Sequence, residues 1–141
     1  MFYGDKDHFV DLETRKFRLD EIISHCRRYG IGYYDTASSV RRLADNASDK
    51  YLEVVERTDI RKLISPARQL RAIVTTGSKA TDTIVETLQI PRTPKVGECV
   101  PVTAIDGVVL YRLPSSSRAY PLCLDKKAEA YKRMFQQLLM I

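Results

Sequence analysis

The chain has 141 residues and a mass of 16.1 kDa, which is enough for one domain with a buried core. Apolar residues make up 44% and charged residues 29% of the sequence, which argues against extensive disorder. Lys and Arg total 23 and Asp and Glu total 18, so the formal charge is +5 and favours polyanionic partners such as nucleic acid.

The apolar runs are only a few residues long, so the sequence predicts no membrane-spanning helix. The N-terminal residues are charged where a signal peptide would be apolar, and secretion by that route is not expected. The three cysteines, Cys26, Cys99 and Cys123, form no CxxC pair, which argues against a disulfide framework and a zinc site. These features predict a cytoplasmic protein.

The first third of the chain is predicted to contain one helix and one short strand. Residues 1–18 lack periodicity and are predicted to form a loop or arm. Asp20 precedes apolar residues at helical spacing and Gly30 follows them, so they are predicted to be the N-cap and the C-terminal stop of a helix. Residues 31–34 are predicted to form a strand that ends at Asp35.

The middle of the chain begins with a segment rich in Ser, Ala, Asp and Asn, residues 36–50. It is predicted to contain one helical turn, near residues 40–43, and no long element. A short helix is predicted over residues 58–64, with Pro66 as its terminator. The apolar run at residues 71–75 predicts a buried strand.

A second helix is predicted after Gly77, followed by a proline-containing loop at residues 91–97. The Asp106-Gly107 pair lies between two runs rich in β-forming residues, 100–105 and 108–113, which is the signal of a hairpin. A Ser-rich loop with a proline at each end follows; residues 114–121 are called the serine loop below.

The last helix is predicted from about Leu124 to the end of the chain. Its apolar stripe is predicted from five residues at helical spacing: Ala128, Tyr131, Phe135, Leu138 and Leu139. Helices and strands thus alternate along the chain. This order predicts an α/β fold, a three-layer sandwich with a mostly parallel central sheet.

Ligands of parallel sheets bind beyond the carboxyl ends of the strands, so the strand exits are the candidate sites. The first exit offers Asp35, Thr36 and two arginines, Arg41 and Arg42, that can pair with phosphates; the alternative is a surface loop with capping side chains. The second exit, at residues 75–79, lacks the spacing of a phosphate-binding loop, which leaves a single anion at a helix N-terminus or a plain turn.

The third exit is the serine loop. It carries three hydroxyls, one guanidinium and one phenol within eight residues, and such a loop can bind phosphates through serine side chains and backbone amides. The alternative is that its serines only form turns.

Four segments together resemble the uracil-DNA glycosylase superfamily, and most closely its mismatch-specific and hypoxanthine-type DNA glycosylases. The segments are GIGYYDTA at 30–37, DNASDK at 45–50, IVTTG at 73–77 and LPSSSRA at 113–119. The resemblance spans nearly the whole chain, and the last segment is its most specific part.

The resemblance implies hydrolysis of the N-glycosidic bond of a deaminated or mispaired base, uracil or hypoxanthine, after the nucleotide is flipped out of the duplex. The implied partner is double-stranded DNA that contains such a base, in a nucleoid-associated setting, with no metal or organic cofactor. The implied base pocket consists of Asp35, Thr36, Thr76 and Gly77. The implied DNA-binding residues are Pro114, Ser115, Ser116, Ser117, Arg118 and Tyr120, together with Arg41 and Arg42.

The family begins with a strand and a Gly-Pro motif that this sequence does not show before Phe2. We therefore expect a single domain over residues 1–141 that is truncated at its N-terminus or is a degenerate relative. An unpaired sheet edge would favour a homo-oligomer.

The N-terminal arm resembles the segment that carries a catalytic Asn in the hypoxanthine-type branch, with Asp7 nearest to that position and Asp5 close behind. A carboxylate at Asp7 can accept a proton from water and stabilise a positive sugar. The alternative is that both acids are solvated loop residues. Two other functions stay open: a catalytically inactive DNA-binding relative, and a small α/β protein that binds a nucleotide.

Overall fold

The structure is a computed structural model of the chain, and it describes residues 4, 5, 7–42, 52–67 and 69–139. The chain divides into two compact units, Met1–Tyr34 and Asp35–Ile141. The resembling segment DNASDK at 45–50 lies outside the described residues. No helix of the described part is long and apolar enough to cross a membrane.

The N-terminal unit begins with a small hairpin where a loop or arm was predicted. Strand β1, Val10–Asp11, pairs antiparallel with β2, Lys16–Phe17. The Asp11 carboxylate accepts hydrogen bonds from the amides of Glu13 and Thr14 at 2.9 and 3.1 Å. These bonds form the turn and lower the pKa of Asp11.

Helix α1, Leu19–Tyr29, is the predicted helix, but its N-cap is Arg18 and not Asp20. Asp20 lies in the first turn, where a negative charge still complements the helix dipole. Gly30 ends the helix as predicted, in the left-handed conformation with φ +64°, and its backbone continues into the loop.

The strand predicted over residues 31–34 is wrong. Residues 31–35 have no regular structure, and the adjacent Tyr33 and Tyr34 side chains are largely exposed. A run of four residues that contains a glycine has a weak strand preference, and no strand of the described part pairs with it.

The helical turn predicted near residues 40–43 is also wrong, because this segment forms the first strand of a hairpin. Strand β3, Ala37–Arg42, pairs antiparallel with β4, Leu52–Arg57, with a bulge near Ser39. Pairing with a strand ten residues further along the chain decides the conformation here, and the local composition does not reveal it.

The next two helices follow the sequence closely. Helix α2, Ile60–Ile64, is capped by the Asp59 side chain, which accepts from the Lys62 amide at 3.0 Å, and it ends before Pro66. Helix α3, Ser78–Leu88, follows Gly77 and ends at Gln89, which adopts a left-handed conformation.

The main sheet has three strands in the order β5–β7–β6: β5 is Ala72–Thr76, β6 is Cys99–Pro101 and β7 is Val109–Leu113. β5 and β7 are parallel, while β6 and β7 form the antiparallel pair predicted from the Asp106-Gly107 turn. The described residues therefore form a mixed sheet and two antiparallel hairpins, and not the mostly parallel sheet that was predicted. The alternation argument fails because one predicted strand is absent and β3 and β4 pair with each other.

The main sheet has an apolar cluster on each face. Leu110 on β7 packs with Ile84 and Leu88 of α3 and with Val100 of β6. Its neighbours in β7, Tyr111 and Leu113, point to the other face because side chains alternate along a strand. There they pack with the last helix, α4, Leu124–Leu139.

The buried stripe of α4 differs in phase from the predicted one. Ala128 is exposed, while Met134 is buried and Ala130 is half-buried against the sheet. Tyr131, Phe135 and Leu138 pack against the cluster as predicted, whereas the side chain of Leu139 lies outside the described part. The stripe begins one position earlier, at Lys127, which has only 9% of its surface exposed. The α/β class is thus confirmed, with small sheets in the described residues, one of which is mixed and contains a parallel pair.

Candidate nucleic-acid interface

The serine loop lies directly beside the turn that follows β5. In the parallel pair Thr76 is opposite Leu113, so both strands end at the same edge of the sheet. The Gly77 amide donates to the Leu113 carbonyl at 3.4 Å. A Cβ on Gly77 would lie 3.5 Å from the Ser115 Cβ, which is van der Waals contact. The structure therefore brings the second and third predicted strand exits together.

The turn at Gly77 requires a glycine, and a hydrogen-bonded pair of buried threonines holds its backbone. Gly77 has φ +84° and ψ 170°, a conformation essentially restricted to glycine. Its carbonyl accepts from the Thr81 hydroxyl at 2.7 Å, and that hydroxyl lies 2.9 Å from the hydroxyl of Thr75. Thr75 and Thr81 are both buried, whereas the hydroxyl-bearing residues Thr76 and Ser78 of this exit are exposed.

The serine loop is shaped by two successive serine turns. The Ser115 hydroxyl accepts from the Ser117 amide at 3.2 Å, and the Ser117 hydroxyl accepts from the Ala119 amide at 3.2 Å. The Ser117 carbonyl accepts from the Tyr120 amide at 3.2 Å. Two of the three serines therefore have the structural role left open by the sequence.

The residues of the loop that face solvent are a different set. Ser116 and Arg118 are exposed, and Tyr120 is 38% exposed. The other residues of the loop that were predicted to contact DNA are less accessible: Pro114 is buried, and Ser115 and Ser117 are half-buried. One hydroxyl, one guanidinium and one phenol are thus available to an external ligand, and all three can bind phosphate oxygens.

The loop is anchored to α4 by a lysine that was not among the predicted site residues. The Lys127 ammonium donates to the Ser117 carbonyl at 2.6 Å and lies 5.7 Å from the centre of the Tyr120 ring. The spacing of Lys127 in the sequence could have indicated its burial. It precedes buried or half-buried residues of α4 by three, four, seven and eight positions, which is helical spacing. A lysine in phase with an apolar stripe is unusual unless it has a partner.

Asp35 and Thr36 are placed at the base of the β3–β4 hairpin. Their carbonyls accept from Thr58, whose hydroxyl donates to Asp35 at 2.7 Å and whose amide donates to Thr36 at 3.1 Å. The side chain of Asp35 is exposed. Because residues 31–34 form no strand, this segment is not a strand exit.

This hairpin base is tied to the end of α3 that lies far from Gly77. Arg57, which pairs with Ala37 next to Thr36, donates to the Glu86 carboxylate at 2.8 Å. Glu86 follows Gly77 by nine residues, which is roughly 13 Å along a helix. The structure therefore joins Thr76 and Gly77 to the serine loop but does not join Asp35 and Thr36 to them.

The two predicted phosphate-binding arginines lie on β3. Arg41 faces Glu53 across the hairpin at 3.6 Å, and both side chains are exposed. Arg42 is the last residue of the strand. An exposed carboxylate next to Arg41 competes with phosphate for its guanidinium.

Asp7 lies in the N-terminal unit, in the turn before β1. Its amide donates to the Asp5 carboxylate at 2.8 Å, and its carbonyl accepts from the Val10 amide at 2.8 Å. Its side chain is half-buried, whereas Asp5 is exposed. Asp7 and the serine loop thus belong to different units of the chain.

Across the described ranges, no three His, Cys, Asp or Glu residues are grouped as ligands of a metal ion would be. Comparison with known proteins gives no relatives, since no family model matches the chain and no curated protein or solved structure matches it significantly.

Proposed function

We propose that this chain is a DNA base-excision glycosylase of the uracil-DNA glycosylase type. The observation that carries the proposal is the contact between the Gly77 turn and the serine loop at one edge of the parallel pair. The resemblance assigns the first segment to the base pocket and the second to the DNA backbone. A flipped base and its flanking phosphates are bound side by side in such enzymes, so the proposal requires these segments to be neighbours.

In the proposed complex the serine loop contacts the phosphates on either side of the target nucleotide. Ser116, Arg118 and Tyr120 supply the contacts because they are the exposed polar groups of the loop. The architecture that we propose together with this function is a three-layer sandwich. Helices α3 and α4, which pack on opposite faces of the main sheet, support it.

The proposed reaction is the hydrolysis of the bond between C1′ of the deoxyribose and the base nitrogen. Water adds its oxygen to C1′, the bond to the nitrogen breaks, and the released base takes up a proton. Asp7 is the proposed group that accepts the proton of the water and stabilises the positive charge on the sugar. The turn bonds that hold the Asp7 backbone support a fixed position for this carboxylate within its unit.

Charge reversal of Arg118 tests the binding surface. We expect Arg118→Glu to weaken duplex binding at least tenfold. The slope of log affinity against log salt should become shallower by about one, because one phosphate is no longer neutralised. Arg71→Glu is the matched control, because Arg71 is exposed and precedes β5, at the opposite end of that strand from Gly77. Equal effects of both variants would mean that only net charge matters and would remove the serine loop from the proposal.

Alkaline cleavage of a labelled duplex with a single uracil or hypoxanthine tests the chemistry. We expect Asp7→Ala to reduce any base release by the chain by about two to four powers of ten, with unchanged DNA affinity. An undamaged duplex of the same sequence is the control. Binding without any base release would instead support the inactive DNA-binding relative.

A further inference from the structure

The structure contains a buried lysine that the proposed reaction does not use. Lys127 lies on the buried face of α4, one helical turn before Tyr131, and its side chain is directed at the serine loop. A buried ammonium is costly unless hydrogen bonds replace its water. Its bond to the Ser117 carbonyl is short, 2.6 Å, as expected for a charged donor.

Ser117 is the residue on which the bonds of the serine loop converge. Its amide donates to Ser115, its hydroxyl accepts from the Ala119 amide, and its carbonyl accepts from both Tyr120 and Lys127. Three of these bonds join residues two or three positions apart, whereas the Lys127 bond joins the loop to α4. Short-range turns fix the shape of a loop, but a bond to a packed helix fixes its place.

We propose that Lys127 is a positioning residue for nucleic-acid binding, which holds the Ser117 backbone so that the flanking Ser116 and Arg118 side chains face a DNA phosphate. This inference rests on the proposed function. An ordered loop binds more tightly than a mobile one because less conformational entropy is lost on association. Lys127 acts through the loop and does not itself touch the phosphate, since its ammonium donates to the Ser117 carbonyl and the residue is 9% exposed.

The first test uses amide hydrogen exchange of the free protein, so it needs no DNA. In Lys127→Met we expect exchange at the Ala119 and Tyr120 amides to be at least tenfold faster, because a hydrogen bond from a charged donor is removed. Lys132→Met is the matched control, because Lys132 is an exposed lysine of the same helix. Unchanged exchange in Lys127→Met would overturn the proposal.

The second test measures affinity for an undamaged duplex at fixed salt. We expect Lys127→Met to lose about tenfold, Lys132→Met to lose less than threefold, and Lys127→Arg, which keeps charge and donors, to recover most of the affinity. In an Arg118→Gln background Lys127→Met should cost much less, because both changes act on the same contact. Undiminished loss in that background, or no recovery with arginine, would overturn the positioning role.

Two further outcomes separate this inference from the proposed function. If the unaltered chain does not bind DNA, the proposed function fails, while the exchange measurement still reports whether Lys127 orders the loop. If the chain binds DNA and Lys127→Met loosens the loop without loss of affinity, the proposed function survives and the positioning role does not. Should Lys127→Met not fold, Lys127→Gln, which keeps one donor, is measured by the same two methods.

Discussion

At the scale of single residues, Glu98 forms the densest set of charged contacts in the loop before β6. Its carboxylate accepts two bonds from the Arg92 guanidinium, at 2.9 and 2.7 Å, and one from the Lys95 amide at 2.8 Å. The Arg92 bonds, then the amide bond, lower the pKa of Glu98 to about 2. Its backbone carbonyl also accepts from the Arg112 amide, so the loop is tied to β7.

This lowered pKa predicts the sign of a pH effect. A carboxyl group whose pKa is lower in the folded state stabilises the fold at pH values above its ordinary pKa, which is 4.5 for Glu98. This stabilisation is lost as the pH falls from 4.5 towards about 2. We expect Glu98→Gln to lower the melting temperature at pH 7. Between pH 5 and pH 2.5, the melting temperature of this variant should decrease less than that of the unaltered protein. Glu129→Gln, which breaks the exposed pair with Arg133, is the control and should lower the melting temperature at pH 7 by less than Glu98→Gln does.

Gly77 is the second residue with a specific backbone requirement. Its combination of φ +84° and ψ 170° is strained for any other residue, although a Cβ would meet Ser115 only at ordinary contact distance. We expect Gly77→Ala to cost about 1–3 kcal/mol in the free energy of unfolding, from backbone strain. Gly32→Ala is the control, because Gly32 has no positive φ and open space around it. If urea titrations gave equal losses in the free energy of unfolding for the two variants, a specific backbone requirement at Gly77 would be contradicted.

At the scale of elements, β7 is the centre of the larger unit because it pairs with both other strands of the main sheet and contributes to both apolar clusters. α3 follows β5 and packs on one face, and α4 follows β7 and packs on the other. The two helices therefore depend on the same strand. A cavity in β7 should weaken the whole sheet.

Leu110→Ala tests this dependence. Leu110 is fully buried against Ile84 and Leu88, so we expect a loss of about 2–5 kcal/mol in the free energy of unfolding, from reduced burial and the remaining cavity. Leu124→Ala deletes the same atoms from a side chain that is 79% exposed, and we expect less than about 0.5 kcal/mol there. A small loss for Leu110→Ala would show that β7 is not the centre of the core.

At the scale of the whole molecule, each of the two units has its own set of side-chain contacts. In the N-terminal unit His25 is buried and forms ring contacts with Phe9 at 5.2 Å and with Tyr29 at 4.7 Å. Burial, and then the charge interactions with His8 and Arg28, lower the pKa of His25 below 6.5. The folded unit therefore favours the neutral imidazole.

Acidification should loosen this unit selectively. A histidine whose pKa is lower in the folded state stabilises the fold above pH 6.5, and this stabilisation is lost as pH falls below that value. We expect the protection factors of the α1 amides to drop between pH 7.5 and pH 5.5, with little change at β7. His25→Phe keeps the ring without the titration and should abolish the drop. Persistence of the drop in that variant would assign it to another group.

The features that depend on neighbouring residues were predictable from the sequence. Gly30 ended α1 as predicted, α2 lies within the predicted range 58–64, and Asp106-Gly107 joined an antiparallel pair as predicted. These signals are local, because turn conformation and capping bonds involve residues within about four positions of each other. The catalytic and DNA-binding roles inferred from the resemblance stay predictions.

The contacts between distant segments became visible in the folded structure. It paired β3 with β4, placed Asp35 at the far end of α3 from Gly77, and set the Gly77 turn against Ser115. It also buried Lys127, whose phase on α4 was visible in the sequence but whose partner was not. Strand pairing and burial depend on residues ten to forty positions apart, and local propensity carries no information about such contacts.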